Sequence, residues 1–171
     1  MIEMTVVVVV DTNVLRYALE AEKNIRSDEE TKAAYEVLVK LLNSDLVVLV
    51  INEEIAKEYS RHIEAVRMEI RRKRIHPQFF QLLRAIKAKS RKVALERHEF
   101  NIKGESVGRK DFHLLNSAKT GALKFKTKKA FVLTFAQDVY RGEEARNGEG
   151  VVVYLLNLRD ENERKRLKEL L

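Results

Sequence analysis

Five consecutive valines, Val6 to Val10, follow Thr5 near the start of the chain. An apolar run without alternation predicts a strand buried on both faces, as in a parallel α/β sheet. Asp11 ends that strand. Ser27 reads as a helix N-cap, with Asp28, Glu29 and Glu30 suited to the positive end of the helix dipole. Ala34, Val37, Leu38, Leu41 and Leu42 then recur at helical spacing up to about Asn43. Asp45 to Ile51 repeats the buried-strand pattern as Leu46-Val47-Val48-Leu49-Val50. Asn52 caps a long helix that Pro77 interrupts, and Gln78 to about Lys89 reads as another helix. The stretch Glu99 to Gly108 lacks both period and core and reads as a loop. A helix over Asp111 to about Leu123, strands at Ala130–Thr134 and Val151–Leu155, and an exposed charged helix from Asp160 to Leu171 complete the pattern. Alternating strands and helices argue for a parallel sheet covered by helices on both faces.

The chain has 171 residues, which fits a single domain, 1–171. It contains no cysteine, so disulfides, thiolate zinc sites and cysteine nucleophiles are excluded. One proline and six glycines predict mostly regular structure. Val6–Val10 is far shorter than the ~20 apolar residues that span a bilayer, and no basic segment precedes it as in a secretory signal. The expectation is a soluble, cytoplasmic protein with no membrane partner. Lys plus Arg is 33 against 26 Asp plus Glu, a net charge of +7. Much of that excess falls between Arg61 and His98, which holds 12 Lys or Arg against three Glu. This basic helical insertion, about 61–98, has two readings: a solvated helical hairpin, or a surface for nucleic-acid phosphates centred on Arg71, Arg72, Lys73 and Arg74.

Ligands of open α/β sheets sit beyond the carboxyl ends of the strands. Acids gather at those places here. Asp11 follows the first strand, Glu54 and Glu58 open the helix after the second, Asp111 stands at a helix start, and Asp138 lies just past Thr134. Singly, each has an ordinary explanation as a cap, a dipole partner or a turn former. Glu53 reads as first-turn decoration. Together, the carboxylates would repel one another unless a cation neutralised them. Oxygen ligands without His or Cys suit Mg²⁺ or Mn²⁺. Such an ion activates water and holds a phosphodiester for in-line displacement. His62, one turn beyond Glu58, is a solvated helix histidine or a partner that orients Glu58.

In this order the motifs resemble those of the PIN-domain ribonucleases, most closely the archaeal and VapC-type toxin-like branch. VVVVVDTNVL carries Asp11, Thr12 and Asn13. NEEIAKEYSRH supplies Glu58 followed by Tyr59, KDFHLLNSA supplies Asp111 and Ala118, and FVLTFAQDV supplies Thr134, Ala136 and Asp138. The match runs over residues 5 to 140. It implies a three-layer α/β/α fold with a central, mainly parallel sheet, and metal-dependent endoribonucleolysis leaving a 5′-phosphate and a 3′-hydroxyl. By resemblance, Asp11, Glu58, Asp111 and Asp138 are the catalytic acids and metal ligands. Thr12, Asn13 and Thr134 orient them, and Arg109 and Lys110 grip the RNA beside Asp111. An antitoxin protein and a homodimeric state are the partners this family implies. Ala136 stands where the family has a further acid, which leaves enough ligands for one ion and predicts slow cleavage with Mn²⁺ outperforming Mg²⁺.

Other classes fit less well. An aspartyl-nucleophile phosphatase needs an acid where Asn13 stands. A dinucleotide fold or P-loop needs glycine motifs that the chain lacks. The competing reading is a catalytically weak RNA-binding or assembly protein with a relic pocket.

Overall fold

The computed structural model describes residues 5–96, 98, 101–102, 105–106, 112–135, 143–146 and 150–170. In chain order the elements are β1 (Val6–Val10), α1 (Thr12–Glu22), α2 (Glu29–Asn43), β2 (Val47–Ile51) and α3 (Glu53–Arg72). There follow α4 (Gln81–Lys89), β3 (Ser90–Lys92), β4 (Asn101–Ile102), β5 (Glu105–Ser106) and α5 (Phe112–Lys124). The chain continues through β6 (Lys129–Thr134), β7 (Glu143–Arg146), β8 (Val152–Asn157) and α6 (Glu161–Leu170).

The eight strands form one sheet in the order β3-β2-β1-β6-β8-β7-β4-β5. The first five strands of that order run parallel; β7, β4 and β5 add an antiparallel edge. β1 is central because its alternate residues serve both faces. Val8 and Val10 pack with α1, α2, α4 and the distal half of α3, while Val7 and Val9 pack with α5 and Ile55. Helices therefore cover both faces, giving three α/β/α layers as the alternation predicts. From β1 the chain builds outward to β2 and β3, then returns to place β6 on the other side of β1. That reversal is a topological switch point. The crevice such a sheet offers to ligands opens beyond the ends of β1 and β6.

The elements differ from the sequence reading in instructive places. The structure adds α1, where the sequence reading has no element, and its Val14, Leu15, Ala18 and Leu19 are buried. Asp28, not Ser27, caps α2: its carboxylate accepts from Thr31 N at 2.9 Å, and the Thr31 hydroxyl accepts from Asp28 N at 3.1 Å, a reciprocal box. α3 ends five residues before Pro77, not at it. Ile75 N donates to Ile70 O at 3.1 Å and Arg74 N to Arg71 O at 3.2 Å, with Arg74 at φ 53°. This is a Schellman ending made with arginine in the left-handed position. α1 and α5 end the same way, on Asn24 (φ 54°) and Lys126 (φ 55°). α4 starts at Gln81, not Gln78. Within the stretch read as a loop, Asn101–Ile102 and Glu105–Ser106 pair as short antiparallel strands. The basic segment is built into the fold, burying Val66, Ile70, Leu82 and Ile86 and ending in β3, which pairs with β2. α6 is largely exposed, with Leu167 buried. Among the described residues no helix is long and apolar enough to cross a membrane.

α5 approaches the sheet most closely at Gly121. A Cβ there would stand 2.7 Å from Val50 Cγ2 and 3.0 Å from Val7 Cγ1. Valine is stiff about χ1, so neither strand residue yields cheaply. Overpacking costs about 1–3 kcal/mol, of which the better helix propensity of alanine returns about 1 kcal/mol. Gly121→Ala is expected to destabilise by up to about 2 kcal/mol, read as a lower urea midpoint. A midpoint at or above wild type would show that Val50 repacks freely.

Candidate functional site

Asp11 leaves β1 in an extended conformation and caps α1, its side chain accepting from Thr12 N at 2.8 Å. Its own amide donates to Leu133 O at 2.9 Å, which fixes it beside the end of β6. There the Thr134 hydroxyl donates to Asp11 Oδ2 at 2.7 Å. Both carboxylate oxygens are thus held, one by the first amide of α1 and one by the last residue of β6. Thr12 turns the other way. Its hydroxyl donates to Glu58 Oε2 at 2.9 Å, joining residues 46 positions apart. Thr12 and Thr134 are buried among polar partners, and Asn13 Oδ1 accepts from Phe135 N at 3.4 Å.

Glu58 reaches this point because α3 starts at a buried anchor. Asn52 Oδ1 accepts from Ile55 N at 2.8 Å, and its amide donates to the Ser117 hydroxyl on α5. Six residues on, Glu58 is near the opening of the crevice, and Tyr59 donates its hydroxyl to Val10 O at the end of β1. Glu58 also lines an open depression along α3 with Glu53, Glu54, Lys57, Arg61 and Lys92, so one side of it faces solvent.

The electrostatics centre on Asp11. Burial raises Asp11 above the usual carboxylate range and nearby Glu58 adds to this, while the Thr134 and Thr12 hydrogen bonds and His113 oppose it. Burial also pushes the Tyr59 phenol well above its ordinary value, with the charges of Asp11 and Glu58 adding to it, so the hydroxyl stays a donor. His62 is held below the ordinary imidazole range by burial, then by Arg16 and Arg61, against the pull of Glu58 and Asp11. Its Nδ1 is buried without a hydrogen-bond partner.

The structure brings Asp11, Thr12, Asn13, Glu58 and Thr134 to one crevice. Asp111, Asp138, Arg109, Lys110 and Ala136 lie outside the described residues. Arg71, Arg72, Lys73 and Arg74 do not join the crevice. They sit at the far end of α3, about 20 Å beyond Glu58 at 1.5 Å per helical residue. Arg71 and Arg72 pair there with Glu64 (2.6 Å) and Glu69 (2.7 Å).

One residue the sequence reading passes over is His113. Its Nε2 stands 3.8 Å from Glu58 Oε2 and is buried with no hydrogen-bond partner. The signal available was its place in the motif KDFHLLNSA, one residue into α5 at the same sheet edge.

Among the described residues no three acids or histidines stand within reach of one ion. The donors present nonetheless suit a divalent cation in kind. Two carboxylates share Thr12 as a link, burial and mutual repulsion both raise Asp11, and an orphaned imidazole nitrogen faces Glu58. No protein-family model, curated protein or solved structure matches the chain.

Proposed function

We propose that the chain is a metal-dependent endoribonuclease of the PIN kind, cleaving RNA phosphodiesters at the crevice between β1 and β6. The observation that supports it most is the hydrogen-bonded series Thr134–Asp11–Thr12–Glu58. It gathers two acids from distant parts of the chain at the switch point of the sheet. The arrangement is costly to a fold that does not use it: a partly buried carboxylate beside a second carboxylate opposes folding and is relieved by a cation.

In this reading Asp11 and Glu58 hold Mg²⁺ or Mn²⁺, with Asp111 and Asp138 added by resemblance. The bound ion supplies a water nucleophile at neutral pH and neutralises charge on the phosphodiester. The protein's part is orientation. Thr134 and the Thr12 amide fix the Asp11 carboxylate, the Thr12 hydroxyl fixes Glu58, and Tyr59 locks the strand end behind both. RNA enters from the solvent side of α3, where Lys57, Arg61 and Lys92 line the same depression as Glu58. Single strands suit such an open path.

The test is incubation of the full chain with labelled single-stranded RNA in chelator, Mg²⁺ or Mn²⁺. Cleavage should require metal and leave 5′-phosphate ends, and Glu58→Gln should slow it by ~10²-fold or more, the loss of several kcal/mol of charge stabilisation. RNA bound tightly but uncut with every metal would instead support the RNA-binding or assembly reading. Co-purification with a second, dissimilar chain would favour an antitoxin-like partner.

A further inference from the structure

We propose that His113 is a nitrogen ligand of the crevice cation and makes the site select Mn²⁺ or another first-row transition ion over Mg²⁺. This rests on the metal-dependent reading above and adds to it a residue outside the set of carboxylates. Three observations carry it. His113 Nε2 is fully buried yet makes no hydrogen bond, although a neutral or charged imidazole has something to donate or accept there. Leaving such an atom unpaired carries the desolvation cost of the group with nothing to offset it, so a partner of another kind is called for. Among the described residues Glu58 Oε2 stands 3.8 Å away, too far for a hydrogen bond. Two donors that share one ion at ~2.1 Å in neighbouring octahedral positions stand about 3 Å apart, so a shift of under ~1 Å closes the pair onto a cation.

The backbone of His113 is also fixed toward the start of α3. Asn52, the cap of α3, donates to the Ser117 hydroxyl, which donates to His113 O at 2.8 Å. Asn52 and Ser117 are both buried, at 2% and 1% exposure, so this connection is shielded from water. One buried relay thus sets the spacing between the helix that carries Glu58 and the turn that carries His113. An all-oxygen site suits Mg²⁺, which binds imidazole poorly; one nitrogen donor moves the preference toward transition ions.

The test uses the full chain titrated with MnCl₂ and read by pulsed electron paramagnetic resonance and by calorimetric competition with MgCl₂. Bound Mn²⁺ in the wild type should show directly coordinated nitrogen. In His113→Gln that coupling should vanish, and the Mn²⁺ over Mg²⁺ preference should fall at least ~10-fold, while metal-free melting is unchanged. Mn²⁺ bound without nitrogen coupling in the wild type overturns the ligand role and leaves the metal reading intact. Failure of the wild type to bind Mn²⁺ at all overturns both. Should His113→Gln not fold, the wild-type spectrum decides alone.

Discussion

Asp11→Asn is expected to abolish Mn²⁺ binding and to slow RNA cleavage by ~10²-fold or more, while the metal-free variant melts no earlier than wild type. The two halves of this result have one cause. Asp11 is a partly buried carboxylate whose folded-state pKa lies above its ordinary 3.8. An acid raised in this way favours the fold when protonated. That contribution is complete below 3.8 and is lost as pH rises through the folded-state value. At neutral pH the ionised side chain therefore opposes folding unless a cation is present. Asparagine caps helices as well as aspartate does, so its Oδ1 can keep the bond from Thr12 N, and its amide can donate to the Thr134 hydroxyl. What disappears is charge. Thermal melts from pH 3 to 8 with and without Mn²⁺ measure this: without metal, the stability of the wild type relative to Asp11→Asn should fall as pH rises. A metal-free variant that melts well below wild type at neutral pH would make Asp11 a structural cap, and the proposed ion would lose its first ligand.

Replacing Arg71, Arg72, Lys73 and Arg74 together with glutamine is expected to weaken binding of long RNA and flatten its salt dependence, yet to leave cleavage of a trinucleotide unchanged. For single strands the log–log slope drops by about 0.7 per phosphate no longer neutralised, up to about 2.8 for all four cations. Two facts of the structure shape the expectation. The cluster is at the far end of α3 from Glu58, so only an RNA able to span ~20 Å can touch both. Arg71 and Arg72 are already paired with Glu64 and Glu69, and Lys73 Nζ donates to Ile25 O at 3.4 Å, so the slope should fall by less than the full amount. An unchanged slope on long RNA would make this end of α3 a solvated face and leave Lys57, Arg61 and Lys92, beside Glu58, as the groups that meet phosphate.

The parallel strands were legible because burial on both faces leaves a mark in the sequence: Val6–Val10, Val47–Ile51 and Lys129–Thr134 are dense in branched apolar residues. The edges were not. β3 reads Ser-Arg-Lys and β7 reads Glu-Glu-Ala-Arg, with nothing in composition to separate them from loops. Such strands exist because a neighbour already in place offers its hydrogen bonds. Helix ends were hidden for a related reason. Asn24, Arg74 and Lys126 occupy left-handed positions that glycine would have announced, and the surrounding helices hold them there.

The site divides along the same line. Sequence alone placed Asp11 and Thr134 at strand ends, since a buried apolar run must stop where polar groups meet solvent. It also put Glu58 near the opening of the next helix. That Thr12 would hydrogen-bond Glu58, that Tyr59 would close on Val10 O, and that His113 would come within 3.8 Å of Glu58 was decided only when α3 and α5 were docked against β1. The physical reason is range. Hydrophobic period and capping act over a few residues and are written locally. A contact across 46 positions depends on sheet order and on one buried anchor, Asn52 to Ser117, that fixes how the two helices meet.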